Sequence, residues 1–388
     1  MFLFKKNENI TLSKKIKVLF DYQAFSMQMH GGVSRLFAEL IAKLRNFEDI
    51  DTLLYAGIND NTHLKEIGLS KGFISNWRFK YKSKVLNNFL PILNKVITRL
   101  RLNKQSFEIF VPTYFDPYFL PFASDKPFIL PVFDMIHELF PQYFDPLDKT
   151  KANKKLLLLN STKIVAISQS TKNDILCLYP EINPDKIVVI PLANSLKSLG
   201  NTNLKLPEKY VLFVGTRKRY KNWEHFIRAC SLLVKSGIDF KIVCVGGGTF
   251  SANETIFLEQ NECLSITHQM TVTDEDLPHV YKNARVFVFP SLYEGFGIPV
   301  LEAMENECPV ILYPISSFPE VAGDAGVYPK SSSDEDLATS INEMLANPIL
   351  RQEHITKGLS QAGKFSWKKH ADQWHQLILD LVSNKSKK

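Results

Sequence analysis

Cysteine is scarce and scattered in this chain. Cys177, Cys230, Cys244, Cys263 and Cys308 are five in number, lie far apart and form no C-x-x-C pair, which argues against a disulfide framework and a zinc site and leaves them as reduced packing residues. No apolar run approaches the roughly 18 residues that a membrane span requires, and the opening MFLFKKNENI lacks the apolar core of a secretory signal. The expected location is therefore cytoplasmic. Repeats at a solenoid period and low-complexity segments are also missing. Acidic residues are absent between Glu66 and Glu108, while Arg78, Lys80, Lys82, Lys84, Lys95, Arg99, Arg101 and Lys104 interleave with apolar residues such as Trp77, Phe79, Ile92, Leu93, Val96 and Leu100. This basic, partly amphipathic stretch from 78 to 104 suits either a peripheral contact with an anionic membrane or a solvated helix face. It carries no nucleic-acid motif, so no nucleic acid is expected as a partner.

What is present reads as a globular α/β protein. At 388 residues, with 45% hydrophobic and 22% charged residues and a net charge of +7, the chain is long enough for two domains. Short apolar runs that end at turn residues and lead into helical patterns predict βα units around parallel sheets. In the first half these are Val18–Phe20, Phe128–Leu130 leading to Asp134, and Ile164–Ile167, after which Ser168 or Ser170 caps a helix to about Tyr179. In the second half they are Tyr210–Val214, Lys241–Val245, Val286–Phe289 and Val310–Tyr313. Residues 191 to 209 are rich in Asn, Ser, Pro and Gly and predict a boundary. The expected division is 1–195, 196–365 and a final helix, 366–388, with Trp367, Ala371, Trp374, Leu377, Ile378 and Leu381 on one apolar side.

Chemistry concentrates at strand ends. Ser291-Leu292-Tyr293-Glu294-Gly295-Phe296-Gly297-Ile298-Pro299-Val300-Leu301-Glu302-Ala303-Met304 directly follows an apolar strand, where ligands of parallel sheets bind. Gly295 and Gly297 let backbone approach a ligand, and Pro299 suits the first turn of a helix whose free N–H groups can face an anion. Glu294 in the loop and Glu302 in the expected first helical turn suit sugar hydroxyls; the plainer reading is a surface carboxylate and a helix-dipole partner. Gly215, at the end of the strand Tyr210–Val214, precedes Arg217, Lys218, Arg219 and Lys221, and fixed cations are what a diphosphate needs. Gly31-Gly32 opens a helix after the first strand and reads equally as a phosphate loop or a tight turn. Asp134 and His137 follow another apolar strand, and His137 is read either as catalytic or as a structural histidine.

The E-x7-E segment from Glu294 to Glu302 resembles that of the retaining GT-B glycosyltransferases of the large family four, glycosyl transferases group 1, which includes many bacterial polysaccharide and lipopolysaccharide enzymes. The resemblance covers about residues 16 to 375, with its specific motifs between 210 and 326. It implies two Rossmann-like domains with parallel sheets facing across a cleft, the first binding acceptor and the second binding the nucleotide-sugar donor, with the final helix crossing back. By that resemblance Glu294 and the amides of Gly295, Phe296 and Gly297 contact the donor sugar and Glu302 holds ribose. Arg217 and Lys221 stabilise the leaving phosphate near Gly31, Gly32 and Gly215, the Leu277 region packs on the base, and Ser316–Ala325 closes the pocket. One departure stands out: many relatives carry a His-Asp pair where this chain has Phe133-Asp134, which shifts the expected catalytic imidazole to His137.

The activity implied is retaining, metal-independent transfer of a mannose-like or deoxy hexose. The partners implied are a nucleotide-sugar donor and a glycan or lipid-linked glycan acceptor at the inner face of the plasma membrane, with no cofactor and no metal. A catalytically inactive nucleotide-sugar-binding subunit, or an epimerase or glycogen-type synthase of the same architecture, is the alternative.

Overall fold

The computed structural model describes residues 15–27, 31–59, 61–68, 84–102, 106–122, 126–196, 202, 204–217 and 219–385. Of the basic stretch, Arg78, Lys80, Lys82 and Lys104 lie outside the described residues, as does Lys218 of the second-half cluster.

The chain separates into two compact units that interleave in sequence: 1–131, 152–164 and 371–388 make one, and 132–151 with 165–370 make the other. This differs from a single cut at 195/196, although the strands regroup between positions 189 and 210, on either side of the expected boundary. Strands β1 (Ile16–Phe20), β2 (Ile50–Leu54) and β3 (Ile109–Val111) form a parallel sheet of order β2-β1-β3, with Val18 opposite both Thr52 and Ile109. Strands β4 (Ile129–Val132), β5 (Lys163–Ala166) and β6 (Ile187–Val189) form a second sheet in that order.

In the first unit the helix Gly32–Leu44 buries Leu36, Phe37, Leu40, Ile41 and Leu44, the i, i+4 stripe expected of a helix lying on a sheet. The helix Lys84–Leu102 inverts that arrangement. Asn94 and Thr98 are buried while Ile92, Leu93, Val96 and Leu100 are exposed. The inward Asn94 is satisfied by the backbone of Ile58, accepting its N–H at 2.7 Å and donating to its carbonyl at 3.1 Å.

The second unit contains a six-stranded, all-parallel sheet: β7 (Tyr210–Val214), β8 (Lys241–Val245), β9 (Thr267–Met270), β10 (Val286–Val288), β11 (Val310–Ile311) and β12 (Gly326–Val327). The order is β12-β11-β10-β7-β8-β9, a doubly wound arrangement that reverses direction between β7 and β10. Alternate residues of each strand take opposite faces. Val211, Phe213, Ile242, Cys244, Val286, Val288 and Ile311 share one core with Trp223, Phe226, Ile227, Leu337, Ile341 and Met344 of the helices Trp223–Lys235 and Asp334–Ala346. Cys230 and Cys263 pack in the same core, Cys308 is buried, and Cys177 is the exposed exception to the packing role expected of the cysteines.

The last helix, Trp367–Lys385, starts in the second unit and ends in the first. Trp367 Nε1 donates to Ser195 Oγ at 2.8 Å, and His370 Nδ1 lies 2.8 Å from the Pro191 carbonyl. Further along, His375 stacks on Phe47 with centroids 4.0 Å apart and bonds Asp49 at 2.9 Å. Among the described residues no helix is long and apolar enough to cross a membrane.

Candidate functional site

The reversal point of the six-stranded sheet is where the expected chemistry converges. The loop after β7 delivers Lys221 and the loop after β10 delivers Glu294, and Lys221 Nζ donates to Glu294 Oε1 at 2.5 Å. The two side chains are 16% and 14% exposed, so each replaces most of the other's lost hydration. Burial works to lower the lysine pKa, but Glu294, then Tyr220, with a further contribution from Asp134, outweigh it and leave the ammonium above the ordinary lysine value. Lys221 also lies over the rings of Phe289 and Tyr220, 5.0 and 5.2 Å from their centroids, a favourable position for a cation.

The Glu294 loop is fixed by residues around it. Ser316 Oγ accepts the Glu294 N–H at 3.2 Å, and Ser317 Oγ contacts the carbonyls of Glu294 and Phe296 at 2.9 Å each. Gly295 packs so closely on the Phe133-Asp134 turn that a Cβ would meet the Phe133 carbonyl, which accounts for a glycine there in purely steric terms. Gly297 has φ +91° and caps the helix Ile298–Glu305. Phe296 is buried edge-on against Phe365, centroids 5.7 Å apart.

Glu302 falls in the second turn of that helix rather than the expected first, because the helix starts at Ile298. It is buried and accepts from Tyr281 Oη at 3.1 Å. Leu277, also buried, opens the helix Leu277–Asn283 that carries Tyr281. Tyr281 therefore links two segments that sequence reading held separately, and nothing in its spacing marks it as a partner of Glu302.

Arg217 departs from the expected phosphate-facing position. Its guanidinium, 1% exposed, donates to Glu254 Oε1 at 2.9 Å and to the carbonyls of Gly246 at 2.7 Å, Gly248 at 2.9 Å and Thr249 at 3.1 Å, over the Phe250 ring. A planar fork of donors fits a ring of carbonyls as well as it fits a phosphate, and the Gly246-Gly247-Gly248 turn, all at positive φ, supplies that ring. Gly215, at φ +133°, lies beside Gly246 and leaves open space where a Cβ would stand.

Asp134 Oδ1 accepts the Ile136 N–H at 3.1 Å. His137 stacks on Phe144, centroids 3.9 Å apart, with Nε2 3.6 Å from Asp148 Oδ2. Gly31 and Gly32 belong to the first unit, where Gly31 caps the helix Gly32–Leu44 in an extended conformation. Sequence reading missed Asp174, whose carboxylate accepts from Tyr293 Oη at 2.8 Å while that hydroxyl accepts the Met135 N–H at 3.0 Å. Only the helical period of the segment after Ser168 could have placed Asp174 one turn into a strand-end helix.

Acidic residues elsewhere serve as local partners. Asp276 contacts the hydroxyls of Thr202 and Thr273, and Asp334 pairs with His225 and Arg228. Among the described residues, no group of three or more His, Cys, Asp or Glu could hold a metal ion.

The doubly wound sheet, with a cation and a carboxylate at its reversal point, defines the class: an α/β protein of the GT-B glycosyltransferase fold. Solved structures agree at the level of fold. Sucrose-phosphate synthase from Thermosynechococcus elongatus superposes with a TM-score of 0.72 at 17% identity, covering 96% of this chain and 100% of that one. HepE from Anabaena, solved with UDP and glucose, gives a TM-score of 0.68 at 13% identity over 94% and 99%.

At the level of sequence, residues 197–361 match the family model of Glycosyl transferases group 1. The chain is 31% identical over 243 residues to O-antigen chain mannosyltransferase B of Escherichia coli, and 29% identical over 226 residues to O-antigen chain mannosyltransferase RfbU of Salmonella typhimurium. These matches take in 58% and 56% of this chain and 63% and 62% of the relatives' own lengths.

Proposed function

We propose that the chain is a retaining, metal-independent glycosyltransferase that moves a mannose-like or deoxy hexose from a nucleoside diphosphate sugar to a growing glycan in polysaccharide, capsule or lipopolysaccharide synthesis. The observation that carries this reading is the Lys221–Glu294 pair at the reversal point of the six-stranded sheet, inside the segment that matches the family. The mannose-like donor draws its support from the similarity to the two O-antigen chain mannosyltransferases.

In this reading Lys221 and the N-terminus of the helix Ile298–Glu305 receive the diphosphate, Glu294 orients sugar hydroxyls, and Glu302, held by Tyr281, takes the ribose. Arg217 acts one step back by fixing the Gly246–Thr249 turn. The glycosidic C–O bond to phosphate breaks with its electron pair left on phosphate. The acceptor oxygen bonds the anomeric carbon on the same face, and its proton passes to the phosphate. Asp134 and His137 remain the candidates from the 132–151 segment for orienting the acceptor.

The exposed Ile92, Leu93, Val96 and Leu100 beside Lys95, Arg99 and Arg101 support a peripheral contact with an anionic membrane, which would bring a lipid-linked acceptor to the enzyme.

The decisive measurement is a thermal-shift and hydrolysis screen against GDP-, UDP-, dTDP- and ADP-sugars. One nucleotide should stabilise the fold, by about 2.7 kcal/mol at a hundredfold excess over Kd; silence across all of them rejects the donor reading. Turnover should persist in excess chelator, and its loss would reject metal independence. Flotation with vesicles should require anionic lipid, and flotation indifferent to lipid charge would remove the membrane contact. A catalytically inactive donor-binding subunit is the second reading, favoured by Phe133 at the position of the family's histidine; nucleotide binding without hydrolysis or transfer would select it.

A further inference from the structure

A cavity of about 580 Å³ opens in the second unit beside Glu294, within the size range of small-molecule sites. Tyr293 and Ser316 line it; the first immediately precedes Glu294 and the second accepts the Glu294 N–H at 3.2 Å. The cavity therefore shares a wall with the proposed donor site. Leu139, Phe140 and Leu292 supply an apolar side, and Gln169, Asn173 and Asp174, from the helix Gln169–Leu178, supply a polar one.

The charge of the cavity is wrong for a diphosphate. Among the described residues, Asp174 and Glu320 are its charged lining residues, and no lysine or arginine lines it. The helix N-terminus, which would otherwise attract an anion, is already occupied: the two Glu320 oxygens accept the N–H groups of Gln169 at 2.9 Å and Ser170 at 3.1 Å. A phosphate would meet two carboxylates and a spent helix end. Neutral hydroxyls, in contrast, find carboxylate acceptors and amide donors together, with an aromatic ring in reach of a sugar's C–H face. The polar wall is held rigidly, because the buried Tyr293 hydroxyl bonds Asp174 at 2.8 Å and Met135 N at 3.0 Å.

We propose that this cavity binds a neutral, hydroxyl-rich saccharide, the terminal portion of the glycan acceptor, with Phe140 against the sugar ring and Asn173, Gln169 and Asp174 bonding its hydroxyls. The ligand's role as acceptor rests on the glycosyltransferase reading; the binding of a neutral saccharide does not.

The test is calorimetric or saturation-transfer titration of the full chain with an α-linked mannobiose, with and without saturating GDP. Binding should survive GDP with affinity changed by less than about threefold, and should weaken at least about tenfold in Phe140→Ala and in Asn173→Trp. Asn173 is exposed on its helix, so Asn173→Trp fills the cavity without disturbing a core and keeps the test valid if Phe140→Ala misfolds. No binding by the wild-type chain up to about 10 mM, unchanged affinity in Asn173→Trp, or complete displacement by GDP would each overturn the proposal. Mannobiose binding in a chain that takes up no nucleotide would support the saccharide site while rejecting the donor reading.

Discussion

Lys221 and Glu294 have to be weighed together, since removing either one leaves the other charged and short of water. Breaking a mostly buried pair costs about 3 kcal/mol or more, whereas replacing both partners costs much less. Lys221→Met and Glu294→Gln should each lower the unfolding midpoint clearly, and the double variant should recover part of the loss while remaining inactive. Equal, additive losses in denaturant titrations would show that the pair is not coupled. Gly295 presents a steric case of the same kind. A methyl there meets the Phe133 carbonyl, so Gly295→Ala should destabilise by about 1–3 kcal/mol as an overpacked site and lower kcat by displacing Glu294; a variant with wild-type Tm and kcat would refute the close fit. The strand, the glycine loop and the helix start around Glu294, Gly295 and Glu302 were legible in the sequence, because they leave a strong local pattern. Arg217 shows the limit. A cation after a strand looks the same whether it faces a ligand or a ring of carbonyls, and only the fold of the Gly246–Thr249 turn decides between them.

At the level of elements, strands were legible in proportion to their apolar content. Tyr210–Val214 and Lys241–Val245 emerged with the expected bounds. β9, reading THQM with no buried residue, and the two-residue β12 carry no such signal at the sheet edges. The helix Lys84–Leu102 defeated periodicity differently: over residues 91–102, whose side chains are described, Ile92, Leu93, Val96 and Leu100 turn to solvent while Asn94 and Thr98 turn inward. The last helix carries a pH dependence. Burial lowers the His370 pKa from 6.5 to about 4, against an opposing contribution from the bond to the Pro191 carbonyl. Between those values the unfolded chain binds a proton that the folded chain refuses. Stability from this group is thus complete above pH 6.5 and falls as the solution is acidified, by about 3 kcal/mol once pH drops below 4. His370→Gln should flatten that part of the profile of Tm against pH, and an unchanged acid slope would assign it to other groups.

For the whole molecule, composition and βα rhythm were enough to anticipate an α/β chain with parallel sheets, and the Asn- and Pro-rich stretch marked where one set of strands gives way to the next. The interleaving of the units was not legible. It depends on which surfaces the segments 132–151 and 371–388 pack against, and those contacts join residues hundreds of positions apart. The segment 132–151 lies with the second unit although strand content alone would assign it to the first half, and with it come Asp134, His137 and the turn that receives Gly295.

The bond between His375 and Asp49 spans 326 positions of chain. At about 5–20 residues per second of synthesis, Phe47 and Asp49 leave the ribosome roughly 16–65 seconds before the residue that covers them. Throughout that interval Phe47 and Asp49 of the nascent first unit stand without the imidazole that covers them, so this part of the unit closes only after residue 375 has been made.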